Sequence, residues 1–399
     1  MKDFCIFTLG CRTNQTESQN IAAELIDSGY SASLNLIPAK NYIINTCSVT
    51  HEADSKSHQA VARILVKNPN ANVFVMGCSS QFDKSEFLNK KGVKLVCGTT
   101  ERKEFTKEII KYLSGNKVAK TAKMPLRTRA MIKIQDGCDN FCSYCIVPYL
   151  RGRSKSRPLD EIINEVKNLS LETKEYSLTG ICISDYKIDG KAGLSTLVTK
   201  LKDKHPARYR IGSLHPDIIT KDFLETLKST NFCEHFHLSV QSGSDTVLKR
   251  MNRHYTAVQV LEKIALIRAT FKNPSITADF IAGFGNETEE EFLETCDFIK
   301  KAKFSDLHIF AYSERKGTAA INMPQIAKSI RHNRAKIIKN IAVDLKNEFL
   351  KTQIDTTHEV LMQKNNAGYT RNYIKVNHDA LPNSLHSLVI SENHLTDII

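Results

Sequence analysis

No apolar run in the 399 residues approaches the roughly 18 that a membrane span requires, so a helical membrane protein is not expected. Nor is there a secretory leader. Lys2 is followed by Asp3, and the short run Phe4–Leu9 passes straight into Gly10-Cys11-Arg12, which predicts a cytoplasmic location. Low-complexity stretches and internal repeats are lacking, and 41% hydrophobic with 25% charged residues argues against disorder, collagen and coiled coil. A reducing compartment makes a disulfide framework unexpected, so the 11 cysteines call for another explanation. What the chain has in excess is positive charge. The net +13 points to a polyanionic partner, and the length allows several domains at roughly 100–200 residues each.

Short apolar runs alternate with helical patterns through the first 123 residues, which predicts parallel βαβ units. Phe4–Leu9, Tyr42–Ile44, Val73–Met76 and Lys94–Val96 read as strands; Glu17–Ser28 and Ala53–Lys67 read as helices. The same alternation resumes over residues 124–354. Strands are expected at Met131–Gln135, Glu175–Leu178, Tyr209–Gly212, His235–Val240, Thr277–Ile281 and Leu307–Phe310, with a helix after each. Asn286 with Glu289 reads as the cap of the helix before the last of these strands. Six β/α units predict a partial barrel rather than a closed one. A basic helix near residues 324–350 leads to a tail, 355–399, with strands at Glu359–Gln363, Tyr373–Val376 and Ser387–Ile390 and a turn at residues 365–368. The expected fold class is therefore α/β: an N-terminal parallel α/β domain, a central partial (β/α)6 barrel and a short C-terminal β module.

Cys138, Cys142 and Cys145 lie within eight residues, just after the first barrel strand. Thiolates ligate iron–sulfur clusters and zinc, and so tight a loop can hold three corners of a cubane while one iron stays open. Zinc sites more often pair two C-x₂-C hooks, and no fourth Cys or His lies close enough in sequence to complete one. A second group follows from topology. Cys11, Cys47 and Cys78 each follow a predicted strand, and the carboxyl ends of parallel strands share one edge, where ligands bind. On this argument Cys97, after the fourth strand, is an equal rival, and all four also suit buried thiols.

With Tyr144 before the last cysteine and a partial barrel behind it, the Cys138/Cys142/Cys145 loop resembles the radical S-adenosylmethionine enzymes. The phrases Thr8-Leu9-Gly10-Cys11-Arg12-Thr13-Asn14-Gln15, Ile44-Asn45-Thr46-Cys47-Ser48-Val49-Thr50 and Gly77-Cys78 narrow the match to the methylthiotransferase family. Residues 237–245 and 311–318 extend it, and within the family the MtaB type is most similar. That type modifies N6-threonylcarbamoyladenosine beside the tRNA anticodon. The resemblance implies two 4Fe-4S clusters. Cys138, Cys142 and Cys145 would hold the radical-generating one, which binds S-adenosylmethionine, and Cys11, Cys47 and Cys78 the one that presents sulfur. It leaves Cys97 without a ligand role, alongside Cys5, Cys182, Cys233 and Cys296. It also implies a reducing electron donor and, as other substrates within the family, isopentenyladenosine tRNA or a ribosomal protein. A reading of another class is a non-catalytic RNA-binding protein stapled by metal.

Tyr144 is expected beside the cofactor adenine, with loop packing as the alternative. Thr179, Gly180, Ser213 and Gln241 end barrel strands at the mouth where barrel chemistry sits, and are expected to contact the cofactor. Gly283-Phe284-Gly285-Asn286-Glu287 departs from the Gly-Phe-Pro-Gly-Glu usual in the family. Arg151, Arg153, Lys155 and Arg157 alternate after the cysteine loop; an extended segment would align them as an RNA-binding stripe or a solvated edge. Gly368–Tyr373 resembles the start of a TRAM domain, a small RNA-binding barrel, with Tyr369 and Arg371 as RNA contacts or the tyrosines as core.

Overall fold

A computed structural model describes residues 2–113 and 128–395. The expected boundary between residues 123 and 124 lies outside the described residues. The chain divides into two compact units. One holds residues 2–113, 137–139 and 145–153; the other holds 128–136, 140–144 and 154–395.

In the first unit five strands form one sheet: β1 (Lys2–Thr8), β2 (Ala32–Ser33), β3 (Ala39–Thr46), β4 (Asn72–Gly77) and β5 (Val93–Val96). Their order is β2-β1-β3-β4-β5, and every pair is parallel. The strands read as near-continuous apolar runs because both faces are covered. Phe4, Ile6, Phe74 and Met76 pack on one face against α1 (Arg12–Asp27) and, through Phe105 and Ile109, α5 (Arg102–Tyr112). Cys5, Ile44, Val73 and Val75 pack on the other against Val61 and Ile64 of α2 (His51–Lys67) and Phe87 of α4 (Lys84–Leu88). α3 (Cys78–Phe82) starts directly on the end of β4, and α6 (Val147–Arg151) also belongs to this unit.

The second unit carries six parallel strands: β6 (Arg129–Lys133), β9 (Glu175–Thr179), β12 (Arg208–Ile211), β13 (His235–Gln241), β14 (Ser275–Ala282) and β15 (Asp306–Ala311). They pair as β12-β9-β6 and β13-β14-β15, and the bridges Tyr209↔Phe232 and Leu214↔Leu238 join the two sets into an open barrel. The numbering gaps are two short antiparallel pairs, β7 (Gln135–Asp136) with β8 (Lys155–Ser156) and β10 (Lys187–Ile188) with β11 (Lys191–Ala192). One face of each barrel strand is apolar. Ile132, Tyr176, Leu178, Tyr209, Phe236, Leu238, Phe280 and Leu307 bury it beneath the surrounding helices.

α12 (Glu289–Ala302) corrects the expected cap. Thr288 caps it, not Asn286: its hydroxyl accepts from Glu291 N while the Glu291 carboxylate accepts from Thr288 N. Asn286 instead sits in the left-handed region (φ 59°), which its short polar side chain tolerates, and its N–H donates to Pro324 O at 2.9 Å. Glu287 closes the same turn by accepting from Gly283 N at 2.9 Å and pairing with Arg334 at 2.7 Å. The turn thus holds its shape without the family's proline.

The tail forms a four-stranded antiparallel sheet, β18-β17-β16-β19, from β16 (Thr357–Met362), β17 (Ala367–Thr370), β18 (Lys375–Asn377) and β19 (Leu385–Val389). Asn365 and Asn366 both adopt positive φ in the turn between β16 and β17, so residues 367–368 already belong to a strand rather than to the expected turn. Val360, Met362, Ile374, Val376 and Ile390 give the sheet its own core. It belongs to the same compact unit as the barrel. No helix among the described residues is long and apolar enough to cross a membrane.

Candidate active site

Cys11, Cys47 and Cys78 come to one edge of the first unit because β1, β3 and β4 are adjacent and parallel. Cys11 is exposed; Cys47 and Cys78 are 5% and 3% accessible. Gly10 has φ 93°, and a Cβ there would stand 2.8 Å from Cys47 Sγ, so glycine keeps that space clear. Gly77, at φ 111°, lets β4 turn directly into α3, whose first residue is Cys78. Cys97 ends the neighbouring strand, but its thiol joins the core with Phe4 and Ile6 and donates to Gly98 O at 3.0 Å.

A polar network ties the three strand ends together. Asn14 Nδ2 donates to Leu9 O (2.9 Å) and Thr46 O (3.0 Å), and its Oδ1 lies 3.6 Å from Cys11 Sγ. Thr46 Oγ1 donates to Met76 O at 2.7 Å. Into this network comes Arg151, its side chain wholly buried. Nη2 donates to Asn14 Oδ1 (2.7 Å), and Nη1 to Glu17 Oε1 (3.0 Å). Arg102 also ion-pairs Glu17. Burial pushes the Cys47 thiol up to about 11, with Cys78 and Cys11 adding to the rise and Arg151 opposing it. Burial raises Cys78 too, and Arg151 counters it by charge and by hydrogen bonding. Ile146 and Leu150 of the α6 region pack on Cys78.

The Cys138–Cys145 loop is bent by Gly137 (φ 71°) and Phe141 (φ 43°). Residues 250–252 pin its middle, residues 140–143, within the second unit. Ser143 N donates to Met251 O at 3.1 Å, Ser143 Oγ to Arg250 O at 2.7 Å, and Asn252 Nδ2 to Asn140 O at 3.1 Å. Tyr144 packs edge-on to Phe284, centroids 6.3 Å apart, and against Val247, Met251 and Tyr312. Thr179 is buried at the end of β9. Gly180 passes so close to Gln135 that a Cβ would stand 3.0 Å from its Oε1, which accepts from Ile181 N and Cys182 N. Ser213 is exposed. Gln241 ends β13 with φ 75°, backbone strain of the kind that collects at functional sites.

His215 was not singled out by sequence, and no local spacing marks it. Its Nε2 lies 2.8 Å from Arg253 Nη1 and 3.3 Å from Asn140 Nδ2, so it supports the cysteine loop. Burial, with Arg253 and His254 adding to it, drives its pKa down to about 3, and the ring is neutral. A 660 Å³ cleft beside Phe7, Tyr42, Lys56 and Arg63 is lined by none of the candidate residues.

The expected basic stripe is corrected. Arg151 ends helix α6 rather than lying in an extended segment, and Gly152 at φ 75° then reverses the chain. Arg151 is consumed by Asn14 and Glu17, and Arg157 is partly buried on Glu165 at 2.6 Å. Arg153 and Lys155 stay exposed. The tail contacts are corrected likewise. Arg371 ion-pairs Glu234 at 3.1 Å and donates to Phe232 O. Tyr369 lies under Arg129 (4.6 Å) and stacks on Tyr373 (5.1 Å), which stacks on His235. Both side chains are spent on packing against the amino ends of the barrel strands. The buried pair Arg208 and Arg210 reinforces that contact by donating to Tyr369 O and Thr370 O.

The Radical SAM superfamily matches residues 132–299, and the Uncharacterized protein family UPF0004 matches residues 3–98. The threonylcarbamoyladenosine tRNA methylthiotransferase MtaB of Bacillus subtilis (strain 168) is 35% identical over 406 residues, 94% of this chain and 90% of that protein. The MtaB protein of Rickettsia prowazekii (strain Madrid E) is 36% identical over 390 residues, 94% and 91% of the two chains. The chain belongs to the MtaB-type radical S-adenosylmethionine methylthiotransferases. A tRNA-2-methylthio-N(6)-dimethylallyladenosine synthase of Thermoanaerobacter sp. (strain X514) is also 35% identical, over 82% of this chain and 75% of its own length. Among solved structures, the radical S-adenosylmethionine methyltransferase TsrM from Kitasatospora setae shares the fold, with TM-score 0.57 at 12% identity over 78% of this chain and 75% of that one.

Members of the family use S-adenosylmethionine and 4Fe-4S clusters, and both cysteine sites fit. One brings Cys47 and Cys78 near the buried Arg151 guanidinium, with Cys11 on the adjacent strand end and the space before Cys47 kept clear by Gly10; the other places three thiols on a sharply bent, pinned loop.

Proposed function

We propose that the chain inserts a methylthio group at C2 of N6-threonylcarbamoyladenosine at tRNA position 37. The observation that carries the reading is the convergence of Cys11, Cys47 and Cys78 at one sheet edge, in a chain that also carries the three-cysteine loop Cys138–Cys145 after its first barrel strand. When bound, the clusters and S-adenosylmethionine supply reductive cleavage of the sulfonium, a radical able to activate C2–H, and a sulfur to place there. The residues of the chain divide that work. Cys138, Cys142 and Cys145 hold the radical-generating cluster, with Tyr144 positioned by Phe284, while Thr179, Gly180, Ser213 and Gln241 form the rim that orients the cofactor. Cys11, Cys47 and Cys78 hold the sulfur-presenting cluster, with Arg151 offsetting its thiolate charge. Exposed Lys155, and Arg153 beside Asp139, meet phosphates of the anticodon stem–loop, and an external donor provides electrons.

Anaerobically reconstituted protein should carry roughly eight irons per chain. Cys142→Ala should abolish S-adenosylmethionine cleavage. Cys47→Ala should still yield 5′-deoxyadenosine but no methylthio product. Colourless, zinc-loaded protein, or methylthiolation by Cys47→Ala, refutes the assignment. Mass analysis of tRNA nucleosides from a deletion strain decides the substrate: loss of a methylthiolated dimethylallyladenosine instead would replace the threonylcarbamoyl reading.

A further inference from the structure

Side-chain alternation sends Phe236, Leu238, Ala278, Phe280 and Leu307 of β13, β14 and β15 into the helix-packed core. Their neighbours His237, Asp279 and His308 therefore line the inner face of the open barrel. One oxygen of Asp279 lies 3.1 Å from His237 Nε2 and 3.3 Å from His308 Nδ1. Thr277 Oγ1 lies 2.8 Å from His237 Nδ1, fixing that ring from its other side. The side chains of His237 and Asp279 are 12% and 21% accessible, whereas His308 is 63% accessible. Phe310, two residues further along the same face, is also exposed.

Burial pushes the Asp279 carboxyl up, but hydrogen bonds and charge from His237 and His308 outweigh it and hold the group well below the usual carboxylate range. An ionised carboxylate only accepts, so both rings turn an N–H toward it. The arginines and lysine of this face have carboxylate partners of their own. Arg208 and Arg210 pair with Glu175 at 2.9 and 3.0 Å, and Lys133 with Asp136 at 2.6 Å. Neither cysteine site uses the His–Asp–His group.

We propose that His308, oriented by Asp279 and backed by His237, binds the carboxylate on the threonylcarbamoyl arm of the substrate adenosine and so sets which N6-substituted adenosine is accepted. The assignment rests on the threonylcarbamoyladenosine reading above. With Nδ1 on Asp279, the His308 ring in its imidazolium form bridges two carboxylates, Asp279 and the ligand's. Phe310 offers an apolar surface beside it for the threonyl methyl group. A dimethylallyl arm is hydrocarbon throughout and would leave the polar group unmatched, the kind of mismatch that discriminates strongly between substrates.

The test uses full-length, anaerobically reconstituted enzyme with S-adenosylmethionine and dithionite. Its substrates are an anticodon stem–loop bearing threonylcarbamoyladenosine and the same RNA with the threonyl carboxylate methyl-esterified. A charge-assisted contact predicts that kcat/KM for the acid exceeds that for the ester by about tenfold or more. His308→Ala should bring the two within about twofold of each other, and His308→Lys, which restores a cation, should recover the preference. The exposure of His308 makes unfolding of these variants an unsuitable explanation, and a matching thermal melt checks it. Equal use of acid and ester by the parent enzyme, or a tenfold preference persisting in His308→Ala, overturns the proposal. So does one equivalent of non-cluster metal lost with His308→Ala, which would make the group a metal site. If the parent enzyme modifies a dimethylallyladenosine stem–loop and neither threonylcarbamoyl form, it is the substrate reading that has failed, and the assignment falls with it.

Discussion

Replacing Arg151 with methionine tests how the auxiliary cysteine edge is held. The side chain is fully buried and serves two acceptors, Glu17 at 3.0 Å and Asn14 at 2.7 Å. Methionine keeps much of the apolar stem and removes the charge. Losing one partner of a buried ion pair typically costs about 3–5 kcal/mol, because the other charge stays buried. Here Glu17 keeps Arg102, which brings the ionic part below that range, to roughly 2 kcal/mol. Asn14 Oδ1 loses a charged donor, a further cost of about 1 kcal/mol. The expected destabilisation of the metal-free protein is thus about 3 kcal/mol. It should appear in urea melts as a lower midpoint with unchanged slope. The second expectation concerns iron. Without the guanidinium that opposes the rise of the Cys47 and Cys78 thiols, three thiolates are harder to gather, and reconstitution should stop near four irons per chain instead of about eight. Wild-type stability together with a full iron complement would show that Arg151 does neither job.

Gly10→Ala should give the same iron deficit by steric means, since its Cβ would strike Cys47 Sγ at 2.8 Å in a backbone region that L-residues avoid; cleavage of S-adenosylmethionine should survive, and loss of cleavage would refute a purely local effect. His215 predicts a pH dependence. Its folded pKa, about 3, lies below the usual 6.5, so between those values the unfolded chain binds the extra proton and stability falls as pH drops from 6.5 toward 3. The contribution is at most about 1.4 kcal/mol per pH unit across that window, and His215→Gln should flatten the slope by that amount in melts run from pH 7 to 4. An unchanged slope would mean that the ring is not held neutral.

The amino-acid order by itself determined most of the secondary elements, the tight Cys138/Cys142/Cys145 spacing and the strand-end position of Cys11, Cys47, Cys78 and Cys97. Apolar period and strand-end position depend on neighbours in the chain, and all six expected barrel strands appear where the pattern set them. Choosing among cysteines at the sheet edge was beyond spacing, because Cys97 and Cys78 follow strands alike. Their surroundings are set by packing: Cys97 joins the core with Phe4 and Ile6, whereas Cys78 packs on Ile146 and Leu150. The basic residues show the limit most clearly. Alternation of Arg151, Arg153, Lys155 and Arg157 suggested a common face, but a five-residue helix ending at Arg151 and a left-handed Gly152 broke the period. Arg371 and Tyr369 likewise suited RNA until Glu234, Arg129 and Tyr373 claimed them. Long polar side chains take whichever counter-charge folding brings near, often more than a hundred residues away, as with Arg151 and Glu17. For the same reason only the tertiary structure could assemble His237, Asp279 and His308. They meet because three parallel strands lie side by side, with Asp279 opposite His308 and His237 opposite Thr277, one step along the same face.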